Sequence, residues 1–148
     1  MTREEAWERI ASAHTAIITT LRRDGMPIST PMWFCVDEGA VYFGTPARSK
    51  KAARLRRNPK VGFLVEGGTR WAELWAVHLA GTVTLVEDPE TIARVTARQA
   101  EKYAGFSTPR SEMPEDTRRF YEADARTLYR IDAEDRILSW DNAKLGLA

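Results

Sequence analysis

Three runs of strand-forming residues follow one another with almost nothing between them. T-A-I-I-T-T-L-R, starting at Thr15, is broken by Arg23-Asp24-Gly25, the extended pattern resumes from Ile28 to Val36, and Asp37-Glu38-Gly39 turns the chain again into Val41 to Gly44. β-Branched and aromatic side chains suit a pleated surface, while glycine and aspartate mark the turns. Connections this short join antiparallel neighbours, since a parallel pair needs a crossover of roughly a dozen residues. The amino-terminal part of the chain is therefore expected to form antiparallel strands and not a βαβ array.

Helices fall between the strands at positions their caps announce. Thr2 and Glu5 have capping-box spacing, predicting a first helix to about Ala13 with Trp7, Ile10 and Ala11 on one face. Ser49 can cap a second helix, which Asn58-Pro59 should end because proline disfavours helical geometry in the residue before it. Val61 to Glu66 reads as a strand and Gly67-Gly68 as a turn; Arg70 to Glu87 is strand-rich, with a bulge or bend at Gly81. Asp88 then caps a helix with Pro89 at its first position, running to about Tyr103. Gly105 to Glu115 reads as a loop, Glu115 to Ala123 as a short helix, and Thr127 to Asp132 and Arg136 to Trp140 as the last two strands. The sum is a mainly β fold, an antiparallel β-barrel with peripheral helices. One domain over residues 1–148 is expected, since a chain of 148 residues can bury a sufficient core without disulfide or metal.

Composition removes several classes of function. With 43% apolar and 29% charged residues the chain is ordinary globular protein, and a net charge of +1 argues against a dedicated nucleic-acid binder. The single cysteine, Cys35, excludes an intramolecular disulfide and every multi-cysteine zinc pattern, and it is expected to be a small buried hydrophobe. No metal site is expected. Neither a secretory signal nor a run of about 18 apolar residues occurs, so no membrane association and a cytoplasmic location are expected. His14 and His78 have no context of a metal ligand or a nucleophile-base pair, and no H-E-x-x-H, G-x-S-x-G, Walker A or G-x-G-x-x-G motif is present.

Against that near-neutral background, T-P-A-R-S-K-K-A-A-R-L-R-R-N-P-K, from Thr45 to Lys60, holds seven basic residues and no acid. It opens a helix directly after a strand, where unpaired N–H groups and the positive end of the helix dipole favour an anion. Thr45, Ser49, Lys50 and Lys51 supply hydroxyls and charge for a phosphate; Arg54, Arg56 and Arg57 read equally well as a solvated face. The lack of protein-borne catalytic motifs fits a flavin or deazaflavin, which carries its own redox chemistry and asks the protein for position and electrostatics. Ser29, Thr30, Pro31, Met32 and Trp33 can lie along the ring, Pro31 placing that strand at an edge or irregular point. Trp75 and Trp140, beside polar residues or turns, are candidates for a substrate pocket at the open face of the ring. No catalytic residue is assigned.

The basic segment, with Asn58-Pro59-Lys60-Val61 opening a strand and P-I-S-T-P-M-W-F preceding it, resembles the pyridoxamine 5′-phosphate oxidase-like split β-barrel proteins. The likeness runs from about Ile17 to Asp88, and the ending S-W-D-N-A-K-L-G is similar to the flavin/deazaflavin oxidoreductase branch. It implies an FMN-binding-like split barrel, a homodimer with sites shared between subunits, and FMN or coenzyme F420 as cofactor. By this resemblance Lys50 and Lys51 hold phosphate, with Thr45 and Ser49 nearby, and Ser29 to Phe34 border the ring. Ser29 stands where the true oxidase has arginine, Ala76 where it has a cofactor-contacting glutamine, and the carboxy-terminal Arg-x-His element is missing. Oxidation of pyridoxamine phosphate is therefore not expected, and coenzyme F420, with its acidic tail, is favoured over FMN. The implied activity is hydride transfer with a small conjugated organic substrate. A non-catalytic carrier on the same fold, and nucleic-acid binding by the basic helix, are the alternatives.

Overall fold

The computed structural model describes residues 1–123 and 125–146. Helix α1 (Arg3–Ser12) begins at the capping box, Glu5 N donating to Thr2 Oγ1 at 3.2 Å and Thr2 N to Glu5 Oε2 at 2.7 Å. It buries Ala6 and Ile10, with Trp7 half-buried; Ala11, expected on that face, is exposed. Strands β1 (Ala16–Leu21) and β2 (Pro27–Met32) form the first hairpin, and β3 (Cys35–Asp37) and β4 (Ala40–Pro46) the second. In the second, Glu38 and Gly39 both have positive φ, the geometry that matches a two-residue turn to strand twist. Helix α2 (Lys50–Arg57) is capped by Ser49 and ends at Asn58, then come β5 (Lys60–Gly67), β6 (Trp75–Leu85), α3 (Pro89–Lys102, capped by Asp88), α4 (Glu115–Ala123) and β7 (Arg126–Asp141).

Two strand expectations need correction. Ile28 to Val36 is not one strand: pairing with β1 stops at Met32, and the chain leaves the sheet at Trp33 and Phe34 before β3 begins. Conversely, the two strands expected after Thr127 are one. The register with β6 steps from Leu79↔Ile137 to Gly81↔Ala133, so the polar Glu134-Asp135-Arg136 stretch is a bulge inside β7 and not a break. Gly81 makes this possible, because a Cβ there would stand 2.2 Å from the Asp132 carbonyl oxygen.

All seven strands join one antiparallel sheet in the order β2-β1-β5-β6-β7-β4-β3. Its two edges, β2 and β3, are consecutive in the chain with Trp33 and Phe34 alone between them. Three virtual bonds of 3.8 Å span at most about 11 Å, so the sheet has to curl until its edges nearly meet. The result is a split β-barrel, the split lying at Trp33-Phe34. Tyr103, which caps α3, fastens that seam: its Oη accepts from Phe34 N at 2.9 Å and lies 2.8 Å from the carbonyl oxygens of both Phe34 and His14, its two available acceptors.

Ile18, Phe34, Phe43, Phe63, Val65, Val77 and Leu79 fill the barrel, with Ile10 of α1 packed into the same cluster. A second cluster outside it joins α3 to β3 and β4 through Val95, Cys35 and Tyr42. Burial pushes the Cys35 thiol up to about 11, as suits a packing residue and not a nucleophile. Beside it the buried carboxylate of Asp37 accepts from Arg94 Nε at 2.8 Å and is ion-paired with Arg98 Nε at 2.6 Å, contacts from α3 that the turn reading of Asp37 did not anticipate. Among the described residues no helix is long and apolar enough to cross a membrane, and no cluster of metal-ligating side chains occurs.

Candidate functional site

Strand β4 ends at Thr45-Pro46 and α2 starts four residues later, so the helix begins beside the strand end. The Ser49 hydroxyl caps α2 by accepting from Ala52 N at 3.1 Å and shares a 3.0 Å hydrogen bond with the buried Thr45 hydroxyl. Consecutive helical residues do not face the same way, and the structure separates the lysine pair accordingly. Lys51 enters a cavity of about 830 Å³. Lys50 instead lines a shallower hollow of about 530 Å³ with Arg22, Arg23, Asp24, Arg54 and Arg57.

The Lys51 side chain is half-buried, its Nζ against Met32 Sδ, and burial, with a smaller push from Arg54, lowers its pKa to about 8. A desolvated ammonium in the first turn of a helix, lining one cavity with the Thr45 hydroxyl, is a seat for an anion.

The cavity lies among the end of β2, the end of β4, the start of α2 and the inner side of α3, with the segment after α3 as a further wall. Its volume falls in the range of small-molecule and cofactor pockets. Pro31, Met32, Trp33, Thr45 and Lys51 all line it. Trp33 is 38% exposed and stacks face to face on Tyr103, ring centroids 4.2 Å apart and planes 5° from parallel. The pair presents a flat wall, backed edge-on by His14.

Ser29, Thr30 and Ser49 do not line the cavity; Ser49 is tied to it only through its hydrogen bond with Thr45. Strand alternation turns Ser29 outward, where its hydroxyl bonds the Thr19 hydroxyl at 2.8 Å, and turns Thr30 inward, opposite Ile18. Trp75 and Trp140 are likewise outside it. Trp75 lies under the Arg9 guanidinium at 4.6 Å and covers Gly67, while Trp140 pairs with Ala76 across β6 and β7 and is exposed on the outward face of the sheet. The placement of those two tryptophans at the pocket is thus corrected for the cavity formed by one chain: Trp75 packs against the barrel core and Trp140 lies on the outward face of the sheet.

Sequence reasoning missed the α3 side of the cavity, Thr96, Gln99 and Tyr103, and two arginines, Arg110 and Arg126. No local pattern marks them. Tyr103 was legible as the end of α3, but its role at the seam depends on Phe34, 69 residues away. With Lys51 the arginines bring three cations to the lining and, among the described residues, no carboxylate.

A family model described as pyridoxamine 5′-phosphate oxidase matches residues 2–132. Among solved structures the chain is similar to the conserved hypothetical protein Rv2991 of Mycobacterium tuberculosis, with 36% identity and a TM-score of 0.82 over 100% of this chain and 89% of that one. Two more distant likenesses show the fold alone. One is the FAD-binding protein of Mesorhizobium loti, at 15% identity and TM-score 0.69 over 94% of this chain and 93% of that one. The other is the haem storage protein HutZ of Vibrio cholerae, at 16% identity and TM-score 0.70 over 92% of each chain. No curated protein matches. The matched span takes in every strand but the end of β7 and the whole Thr45–Lys51 junction, and on that basis the chain belongs to the pyridoxamine 5′-phosphate oxidase family.

Proposed function

We infer that the protein is an oxidoreductase that holds FMN or coenzyme F420 in the cavity between β2, β4, α2 and α3 and acts on a small conjugated organic substrate. One observation carries this reading: the half-buried Lys51 ammonium and the buried Thr45 hydroxyl share one cavity with the stacked Trp33–Tyr103 pair, without a carboxylate among the described lining residues. The donor set fits a phosphate and the wall fits a planar heterocycle. Lys51 and Thr45 would hold the phosphate, Ser49 positioning the Thr45 hydroxyl through their hydrogen bond, and Pro31, Met32 and Trp33 would border the ring. The bound cofactor supplies hydride-transfer chemistry. No carboxylic acid or histidine is among the described lining residues; solvent would deliver the proton that accompanies the hydride, with Lys51, Tyr103 and Tyr121 the other lining groups able to donate one.

Coenzyme F420 is favoured because the second hollow, reached by Lys50 on the next position of α2, offers Arg22, Arg23, Arg54 and Arg57 to an acidic tail, against Asp24 alone. Oxidation of pyridoxamine phosphate has no support, since the Ser29 hydroxyl is engaged by Thr19 and Ala76 is buried.

A second copy of the chain completes the site in this reading. Pro31, Ile17, Leu64, His78 and Leu138 stand opposite one another in register across β2, β1, β5, β6 and β7, on the outward face. Leu138 and Trp140 on that face are 50% and 45% exposed. The ladder starts at Pro31, which also lines the cavity, so a partner seated on it would border the cofactor.

Fluorescence titration of the purified protein with FMN and with F420 tests the assignment. Saturable binding of one, followed by turnover with conjugated acceptors, is expected; binding of neither removes it. The rival is a non-catalytic carrier, which would bind tightly and turn over nothing.

A further inference from the structure

A cofactor phosphate does not account for all the charge in the cavity. Its described lining holds Lys51, Arg110 and Arg126 and no carboxylate. A phosphate monoester carries about −1.5 to −2 at neutral pH, and Lys51 with the positive end of α2 answers most of that. The two arginines remain.

Arg126 is held in a way that keeps it available. Pairing of β4 with β7 sets Pro46 opposite Arg126 and Gly44 opposite Leu128, so Gly44 is the diagonal neighbour of Arg126 on the same face. Gly44 has no side chain, and a Cβ there would stand 3.4 Å from Arg126 Nη2 and 3.5 Å from its Nε. The guanidinium therefore lies flat across the bare stretch of β4, Nη2 donating to the Gly44 carbonyl oxygen at 3.4 Å. A guanidinium has five N–H donors in a rigid fork, and among the described residues no carboxylate pairs with this one. Arg110 meets Glu122 at 3.9 Å, both side chains exposed, a contact too weak to neutralise it.

Building on the cofactor reading, we propose that Arg126, assisted by Arg110, makes the substrate class anionic: a conjugated carboxylate, gripped by the fork of Arg126 and lying against the Trp33 side of the cavity. The fork matches a carboxylate bidentately, and a neutral substrate would leave that donor geometry unused. Arg126 is thereby a specificity-determining residue.

The test is calorimetric titration of FMN-saturated protein with trans-cinnamate and with trans-cinnamamide, which share shape and conjugation but not charge. Cinnamate should bind at least tenfold more tightly. Arg126→Gln should reduce cinnamate to the level of the amide, Arg126→Lys should keep part of the preference, and the affinity for FMN should stay within twofold in both. Equal binding of the two ligands by the unmodified protein, or a preference that survives Arg126→Gln, overturns the proposal. So does a tenfold loss of FMN affinity in Arg126→Gln, which would return the guanidinium to the phosphate seat. If FMN does not bind, the same titration is made with F420-saturated protein. If neither binds, the cofactor reading fails by itself, and the protein alone is titrated. A cinnamate preference that vanishes in Arg126→Gln and persists in Lys51→Ala then upholds the anionic specificity; its loss in Lys51→Ala overturns it.

Discussion

Burial holds Lys51 at a pKa of about 8 where an exposed lysine titrates near 10.5, so the folded chain binds fewer protons than the unfolded chain between those values. Stability of the cofactor-free protein should therefore rise with pH across that window, the full cost of the buried ammonium being borne below about pH 8. Lys51→Met should stabilise the cofactor-free protein at pH 7 and lose that advantage above the window, as thermal melts at several pH values would register. Phosphate capture has the opposite slope. The phosphate's own second ionisation, with a pKa of about 6, is largely past by pH 8, so FMN affinity should fall as pH rises through about 8, by up to tenfold per unit. Lys51→Ala should weaken binding by about 1.5 to 3 kcal/mol, the range for a charge-assisted hydrogen bond, and should flatten that pH profile. Residues whose work is local were legible in the sequence: Thr2, Ser49 and Asp88 cap the helices they were expected to cap, since a cap needs only its own first turn. The difference between Lys50 and Lys51 was not legible, because it depends on which side of α2 meets the barrel.

At the level of elements, two contacts decide where α3 sits, and both tie it to the short strand β3 and its approach. Tyr103→Phe removes the acceptor of the buried Phe34 N–H and should cost about 1 to 3 kcal/mol in urea unfolding. Replacing Arg94 and Arg98 together by alanine leaves the Asp37 carboxylate buried without a cation and should lower the urea midpoint more than either single change. In the bulge, Gly81→Ala would drive a methyl group into the Asp132 carbonyl, so loss of cooperative unfolding or a large drop in melting temperature is expected. Strand boundaries were readable where a turn residue enforces them, as at Gly25 and Gly39. They were not readable at Met32, where nothing local stops the strand, nor at Glu134 to Arg136, whose continuation depends on Gly81 of another strand.

For the whole molecule, the sheet's outward ladder should govern assembly. Leu138→Glu, alone or with Trp140→Glu, should shift a dimer to monomer in sedimentation equilibrium and lower cofactor affinity, while the melting curve of the monomer stays cooperative. A monomeric unmodified protein would overturn the shared-site reading. The antiparallel class was legible from the hairpins, but the order of strands was not, because the pairing that closes the sheet joins distant segments. Strand β4 has β3 on one side and β7 on the other, with Val41 paired to Ile131. During synthesis, then, the second hairpin leaves the ribosome long before its other neighbour exists, and its open backbone must wait for residues 126–141. Refolding should accordingly be slow for the chain's size, and a nascent chain stalled ahead of that last segment would be a client for chaperones rather than a folding intermediate that can mature unaided.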